Sequence, residues 1–139
     1  EVFCMFTIRK ATRDPAFYAD LCPFLLSKAV HGELGEDPVF DDDRFTWFIA
    51  KVGDEVVGWS ACFMKSVGAG VLAWSYVVPG HRRKGLWRQL LQLRLDSLRE
   101  QGAKTVTACT KNPALKGVLG SSFVKTNDRG SWTFYSKSM

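Results

Sequence analysis

The run Ser75-Tyr76-Val77-Val78-Pro79-Gly80-His81-Arg82-Arg83-Lys84-Gly85-Leu86-Trp87-Arg88 joins three kinds of local sequence. A β-prone segment ends at Pro79, which cannot donate to a sheet ladder. Four cations, Arg82, Arg83, Lys84 and Arg88, fall within seven residues around Gly85. A helical pattern starts at Leu86. Together these predict a strand, a tight basic turn and a helix N-terminus. Such a turn aims free backbone N–H groups and the positive end of the helix dipole at one point, which suits a phosphate. Gly85 lets a ligand approach the backbone, and the arginines add forked, charge-assisted donors. Residue types alone leave a second reading open, a solvated basic turn with no ligand.

Downstream, residues 86–101 form the strongest helix pattern in the chain. Trp87, Leu90, Leu91, Leu95 and Leu98 make one apolar stripe, with Arg88, Gln92, Arg99 and Glu100 facing out. Gly102 stands where a C-terminal cap belongs. Residues 104–110 read as a strand. Asn112-Pro113 opens a short helix to about Leu119, and residues 123–126 and 131–137 form a terminal hairpin. Upstream, residues 71–78 are the strand that enters the basic turn, after a flexible connector at residues 67–70. Residues 45–52 and 55–65 pair as a hairpin across Gly53-Asp54, and Gly58 marks a bulge or a close backbone approach. Residues 2–9 read as a first strand. Thr12-Arg13-Asp14-Pro15 offers a helix start, and the helical pattern runs over residues 16–30. Pro23 inside that pattern predicts two short helices.

The 139 residues fit one domain, 1–139, large enough for a sizeable core. An apolar share of 46% and a charged share of 24% are ordinary for a globular protein. A net charge of +5 admits a polyanion partner, but the charge is uneven. Residues 31–43 hold Glu33, Glu36, Asp37, Asp41, Asp42 and Asp43, six of the fourteen acids. That segment is either a solvated loop or an acidic rim that attracts a cationic amine. Cys4, Cys22, Cys62 and Cys109 form no Cys-x-x-Cys pair, and with two histidines no metal site is expected. Free thiols, no membrane-length apolar run and no signal-peptide pattern predict a cytoplasmic protein.

Val77-Val78-Pro79, then Arg82-Arg83-Lys84-Gly85-Leu86, then Leu90-Leu91 resembles the acyl-CoA signature of the GNAT superfamily of N-acetyltransferases. Arg82 and Gly85 match its key positions, and Trp87 replaces a small residue at the last one. The resemblance implies an α/β (α+β) fold: a mixed, mostly antiparallel sheet of six to seven strands with a central, splayed parallel pair, flanked by helices. It implies transfer of an acetyl group from acetyl-CoA to a primary amine of a small molecule, protein or peptide. The CoA pyrophosphate and arm then fall to Tyr76, Val77, Val78, Arg82, Arg83, Lys84, Gly85, Leu86, Trp87, Arg88 and Asn112. Asn112 is equally suited to capping the helix that Pro113 begins. The resemblance also makes the Val77 N–H the donor to the thioester oxyanion.

Two family features are missing. Trp74-Ser75-Tyr76 and Thr107-Ala108-Cys109-Thr110 carry no carboxylate to serve as base. The family's acid tyrosine falls at Leu119. Tyr76 is therefore the candidate acid, and Glu33 or Asp43 the candidate base through water, against groove-wall and surface roles. These gaps motivate an alternative, a non-catalytic acyl-CoA-binding or regulatory module. A nucleic-acid binder ranks third, because the cations cluster at one turn and the acidic segment would repel a polyanion. Trp132, Phe134 and Tyr135 offer a surface for a homodimer.

Overall fold

Thr105–Thr110 alternates exposed and buried side chains along its length, the period of a strand with one covered face. Leu86–Glu100 instead buries Leu86, Leu90, Leu91, Arg94, Leu95, Ser97 and Leu98, the period of a helix with one covered face. The computed structural model describes residues 6–34 and 39–139. The elements run β1 (Thr7–Lys10), α1 (Pro15–Leu25), α2 (Lys28–Glu33), β2 (Thr46–Val52), β3 (Glu55–Ser66), β4 (Ala69–Val77), α3 (Leu86–Glu100), β5 (Thr105–Thr110), α4 (Pro113–Gly120), β6 (Val124–Arg129) and β7 (Trp132–Ser138). A single 3-10 turn, Pro79–His81, links β4 to the basic loop.

One seven-stranded sheet has the order β1-β2-β3-β4-β5-β7-β6. All pairs are antiparallel except β4 and β5, which α3 connects. This is the mixed sheet with a central parallel pair expected from the sequence. The parallel pairing is short: Ala69 faces Thr105, Gly70 faces Val106 and Val71 faces Thr107. Beyond Val71, β4 continues to Val77 without β5, so the two strands splay.

Two cores sit on opposite faces of the sheet. On the α3 face, Leu86, Leu90, Leu95 and Leu98 pack against Val57, Cys62, Val106 and Leu119. On the α1–α2 face, Phe17 and Leu21 pack against Trp47, Trp59 and Tyr76. The second core is rich in aromatic contacts, such as Trp59 stacked on Tyr76 with centroids 5.8 Å apart.

Several boundaries differ from expectation. The first strand occupies Thr7–Lys10, and the part predicted over residues 2–5 lies outside the described residues. The predicted helix does divide in two, but not at Pro23. Pro23 sits within α1, and the break comes at Leu26-Ser27. Ser27 there accepts the Val30 N–H at 3.2 Å and so caps α2, supplying the start signal that sets the break. The predicted connector at residues 67–70 is half turn and half strand. Val67-Gly68 makes the turn, and Gly70 lies in β4, where a Cβ would stand 3.1 Å from both methyls of Leu98, so the position needs a glycine. The terminal hairpin is longer than expected, turning at Gly130-Ser131. Tyr135, predicted as a dimer-surface residue, is 5% exposed and donates to the Lys116 carbonyl at 3.2 Å. It packs β7 against α4 within the domain.

Candidate active site

The splay between β4 and β5 opens a cavity of about 800 Å³ that reaches both faces of the sheet. Its α3 side is formed by the basic turn, the start of α3, the end of β5 and α4. Gly85 is the N-cap of α3 with φ of +81°, and among the described residues no side chain caps this helix. The first N–H groups of α3 are therefore presented outward. Arg83 also adopts a left-handed backbone, with φ of +63°, a conformation that costs a non-glycine residue energy and tends to mark function. Arg83 and Gly85 thus put two left-handed residues within three, at the turn that leads into α3. Arg83, Arg88 and Lys111 line this side of the cavity.

The inner wall is the free edge of β4. The Val78 N–H donates to Val57 O at 2.9 Å, so Val78 faces β3. In an antiparallel ladder, alternate residues point the other way. Val77 and Ser75 therefore direct their N–H and C=O groups into the crevice. The Val77 carbonyl accepts from Arg82 Nε at 2.8 Å, while its N–H faces the cavity.

The opposite side, toward α1 and α2, is aromatic. Phe40, Phe45, Phe63 and Trp74 line it, with Phe40 and Trp74 packed edge to face at 4.8 Å. Tyr76 joins this wall. Arg82 lies over its ring at 5.4 Å and reaches Glu33 at 2.5 Å. Burial, and next the Glu33 charge, push the Tyr76 phenol up against the opposing pull of Arg82. At neutral pH the phenol thus keeps its proton.

Most residues singled out in the sequence converge here. Glu33, Tyr76, Val77, Arg82, Arg83, Gly85, Leu86, Trp87, Arg88 and Asn112 all line the cavity, whereas Asp43, Val78 and Lys84 do not. Arg82 is turned toward Glu33 and Tyr76 rather than standing with Arg83. Trp87 packs on the α3 core and also donates from Nε1 to Ser75 Oγ at 2.9 Å, so its bulk lies along the wall. Asn112 caps α4, accepting the Ala114 N–H at 2.9 Å, while also lining the cavity. Cys109 lines it too, with its thiol pushed up by burial and so held protonated.

Among the described residues of the acidic segment, Glu33, Asp41 and Asp42 are paired with arginines. Asp41 accepts two bonds from Arg13 at 2.9 Å and one from Trp47 Nε1 at 2.7 Å, and Asp42 pairs with Arg44 at 3.0 Å. Glu36 and Asp37 lie outside the described residues. Glu33 is the one acid among the described cavity residues, against Arg44, Arg82, Arg83, Arg88, Arg94 and Lys111.

Arg94 escaped the sequence reading. It lines the cavity and is 1% exposed. The signal was present: position 94 lies seven residues after Trp87 and four before Leu98, in the middle of the apolar stripe.

A sheet splayed at one parallel pair, beside an uncapped helix start and a basic turn, is the acyl-CoA N-acyltransferase fold. The chain belongs to the GNAT acetyltransferase family, whose model matches residues 11–118. A comparison with curated protein sequences gives no significant match. Among solved structures, an acetyltransferase from Thermus thermophilus is 21% identical, with a TM-score of 0.73 over 96% of this chain and 97% of that one. A GNAT acetyltransferase from Staphylococcus aureus is 16% identical, with a TM-score of 0.74 over 96% and 99% of the two chains. One from Elizabethkingia anophelis, solved with acetyl-CoA bound, is 15% identical, with a TM-score of 0.68 over 96% and 98%. At these identities the likeness is one of fold.

Proposed function

We propose that this protein transfers an acyl group from a CoA thioester, acetyl-CoA in the simplest case, to a primary amine. The observation that carries this is the uncapped N-terminus of α3 and the left-handed Arg83 turn, both opening into the cavity beside the free edge of β4. The pyrophosphate sits on the N–H groups after Gly85 with Arg83 and Arg88. The arm of the cofactor adds to β4 as an extra strand, through the backbone of Ser75 and Val77. The Val77 N–H faces the thioester oxygen as charge develops on it. The amine nitrogen bonds to the acyl carbon, the C–S bond breaks, and the thiolate takes a proton. Tyr76, protonated at neutral pH, is the donor we assign, and Glu33 receives the amine's proton through water. The acceptor enters from the aromatic side, past Phe40 and Trp74.

Thermal unfolding tests the donor site. Acetyl-CoA at one hundred times its dissociation constant adds about 2.7 kcal/mol, which raises the midpoint by roughly 8 °C for a chain of this size. No rise with either acetyl-CoA or CoA sinks the reading. A non-catalytic acyl-CoA-binding module is the second reading, favoured by the tie between Glu33 and Arg82. Release of CoA thiol in the presence of a panel of amines separates the two. With turnover in hand, Tyr76→Phe lowers kcat by about a hundredfold. An unchanged kcat removes Tyr76 from the mechanism.

A further inference from the structure

Arg94 is the one fully buried charged side chain among the described residues. Its own bonds are poor: Nε reaches Leu90 O at 3.4 Å and Nη1 reaches Ala61 O at 3.5 Å, both at the outer limit, and Nη2 has no partner. None of the ion pairs among the described residues includes it. The ionisable group that faces it is the Cys62 thiol, pushed up to about 11 by burial and therefore neutral. Ser60 Oγ is also buried without a partner, and it lies between Gly58 and Cys62, which both face α3. A buried charge with no counter-ion is costly unless a partner arrives to compensate it.

The position of Arg94 says where that partner would come from. Cys62, whose thiol meets the Arg94 carbonyl at 3.9 Å, pairs in register with Leu72. Leu72 is the first residue of β4 beyond its last pairing with β5. The backbone of Arg94 therefore stands toward the closed end of the splay, while its guanidinium lies 6.0 Å from the centroid of the Trp87 ring, whose Nε1 donates to Ser75 Oγ, and contributes to the cavity wall. Gly85 stands at the open end, about 14 Å away along α3 at 1.5 Å per residue. With the thioester held at the Val77 N–H, an acyl chain continuing along β4 toward Ser75 runs to the Arg94 guanidinium beside Trp87. The aromatic acceptor wall is on the other face of the sheet.

We propose that the acyl group of the preferred donor ends in a carboxylate, as in malonyl- or succinyl-CoA, and that Arg94 holds that carboxylate. The inference rests on the acyl-CoA reading of the cavity given above. A guanidinium fork matches a carboxylate with two parallel bonds, whereas an acetyl methyl gives it nothing. In the reaction the amine attacks the thioester carbon, the C–N bond forms and the C–S bond breaks. The sulfur leaves with the electron pair and takes one proton, and the amine gives one up. The terminal carboxylate stays ionised throughout, so the product is an amide bearing a free acid.

The test is calorimetric binding of CoA, acetyl-CoA, butyryl-CoA, malonyl-CoA and succinyl-CoA to the wild-type protein. Butyryl matches succinyl in length without its charge. A charge-assisted pair predicts that malonyl- or succinyl-CoA binds about ten- to a hundredfold tighter than acetyl- or butyryl-CoA. In Arg94→Met the affinities converge, and Arg94→Lys keeps part of the preference. The wild-type comparison decides the matter even if a variant fails to fold. Equal or weaker binding of both carboxylated donors overturns the inference and leaves the acyl-CoA reading standing. Absence of binding by every CoA species overturns both.

Discussion

At the scale of single residues, charges are treated in two opposite ways. Arg13 is a satisfied one. It forks onto Asp41 and also donates to the carbonyls of Asp42 and Phe45. Burial acts to raise the Asp41 pKa, but the bonds from Arg13 and Trp47 outweigh it and hold the carboxyl below its ordinary value of 3.8. A folded value below the unfolded one means stability that is complete above the ordinary value and lost as pH falls through the lower folded value. Asp41→Asn should therefore cost about 1–2 kcal/mol at neutral pH, allowing for partial solvent screening. Its deficit against wild type should shrink in acid. Denaturant titrations of both proteins across that range measure it, and a deficit that stays constant refutes the assignment. Arg94 is the unsatisfied case. Burial lowers its pKa to about 10, a sign of how poorly the interior solvates the charge. Replacing a buried ion with an apolar side chain of similar volume is often stabilising. Arg94→Met should stabilise the ligand-free protein by about 1–3 kcal/mol. A fall in stability would mean that the guanidinium is already compensated by the fold.

At the scale of elements, β4 and the start of α3 build the basic side of the cavity, and both were largely legible in the sequence. Pro79 ended the strand, Gly85 began the helix, and the Leu90-Leu91 pair set the face that α3 buries. Direction across the sheet was not legible. The alternation that turns Ser75 and Val77 toward the crevice depends on register with β3, a long-range property. It makes a specific prediction for amide exchange. In the ligand-free protein the Ser75 and Val77 amides should exchange freely, while Val78, bonded to Val57, is protected. CoA binding should slow Ser75 and Val77 by about tenfold or more and leave Val78 nearly as it was. Uniform protection along β4 before ligand is added would contradict an open edge. The helix start has its own check. A Cβ at Gly85 meets nothing within 4 Å, so the cost of Gly85→Ala is purely that of the left-handed backbone. About 1–2 kcal/mol of destabilisation is expected by thermal melting. A neutral change would show that the loop adopts another conformation.

At the scale of the whole molecule, the cavity passes through the sheet between two cores of different character. The aliphatic core lies beside the basic turn, and the aromatic core lies beside the aromatic wall of the cavity. The sequence showed both ingredients, a leucine stripe and a generous share of aromatics, but not their segregation, because a strand's two faces belong to different cores only once its neighbours are known. For the same reason the acidic segment left open a rim that attracts a cationic amine beside a solvated loop, whereas Arg13, Arg44 and Arg82 each take one of its carboxylates. Each of those arginines is distant in sequence from its partner or set apart by a turn, so composition alone counts the acids without their cations. Segregation of the faces should appear in the kinetics. Phe40 is 54% exposed and sits on the aromatic side, so Phe40→Ala should fold normally. It should raise the KM for the amine by severalfold, since an exposed aromatic contact contributes about 0.5–1.5 kcal/mol. The donor KM should stay within about twofold, the range of a substitution remote from the ligand. Arg83→Ala should do the reverse, weakening the CoA thioester about tenfold through the loss of one charge-assisted contact while the amine KM holds. Steady-state kinetics with both substrates varied would reveal the pattern. If either substitution moved both constants together, donor and acceptor would share one face of the sheet, and the passage through it would not be the route of the reaction.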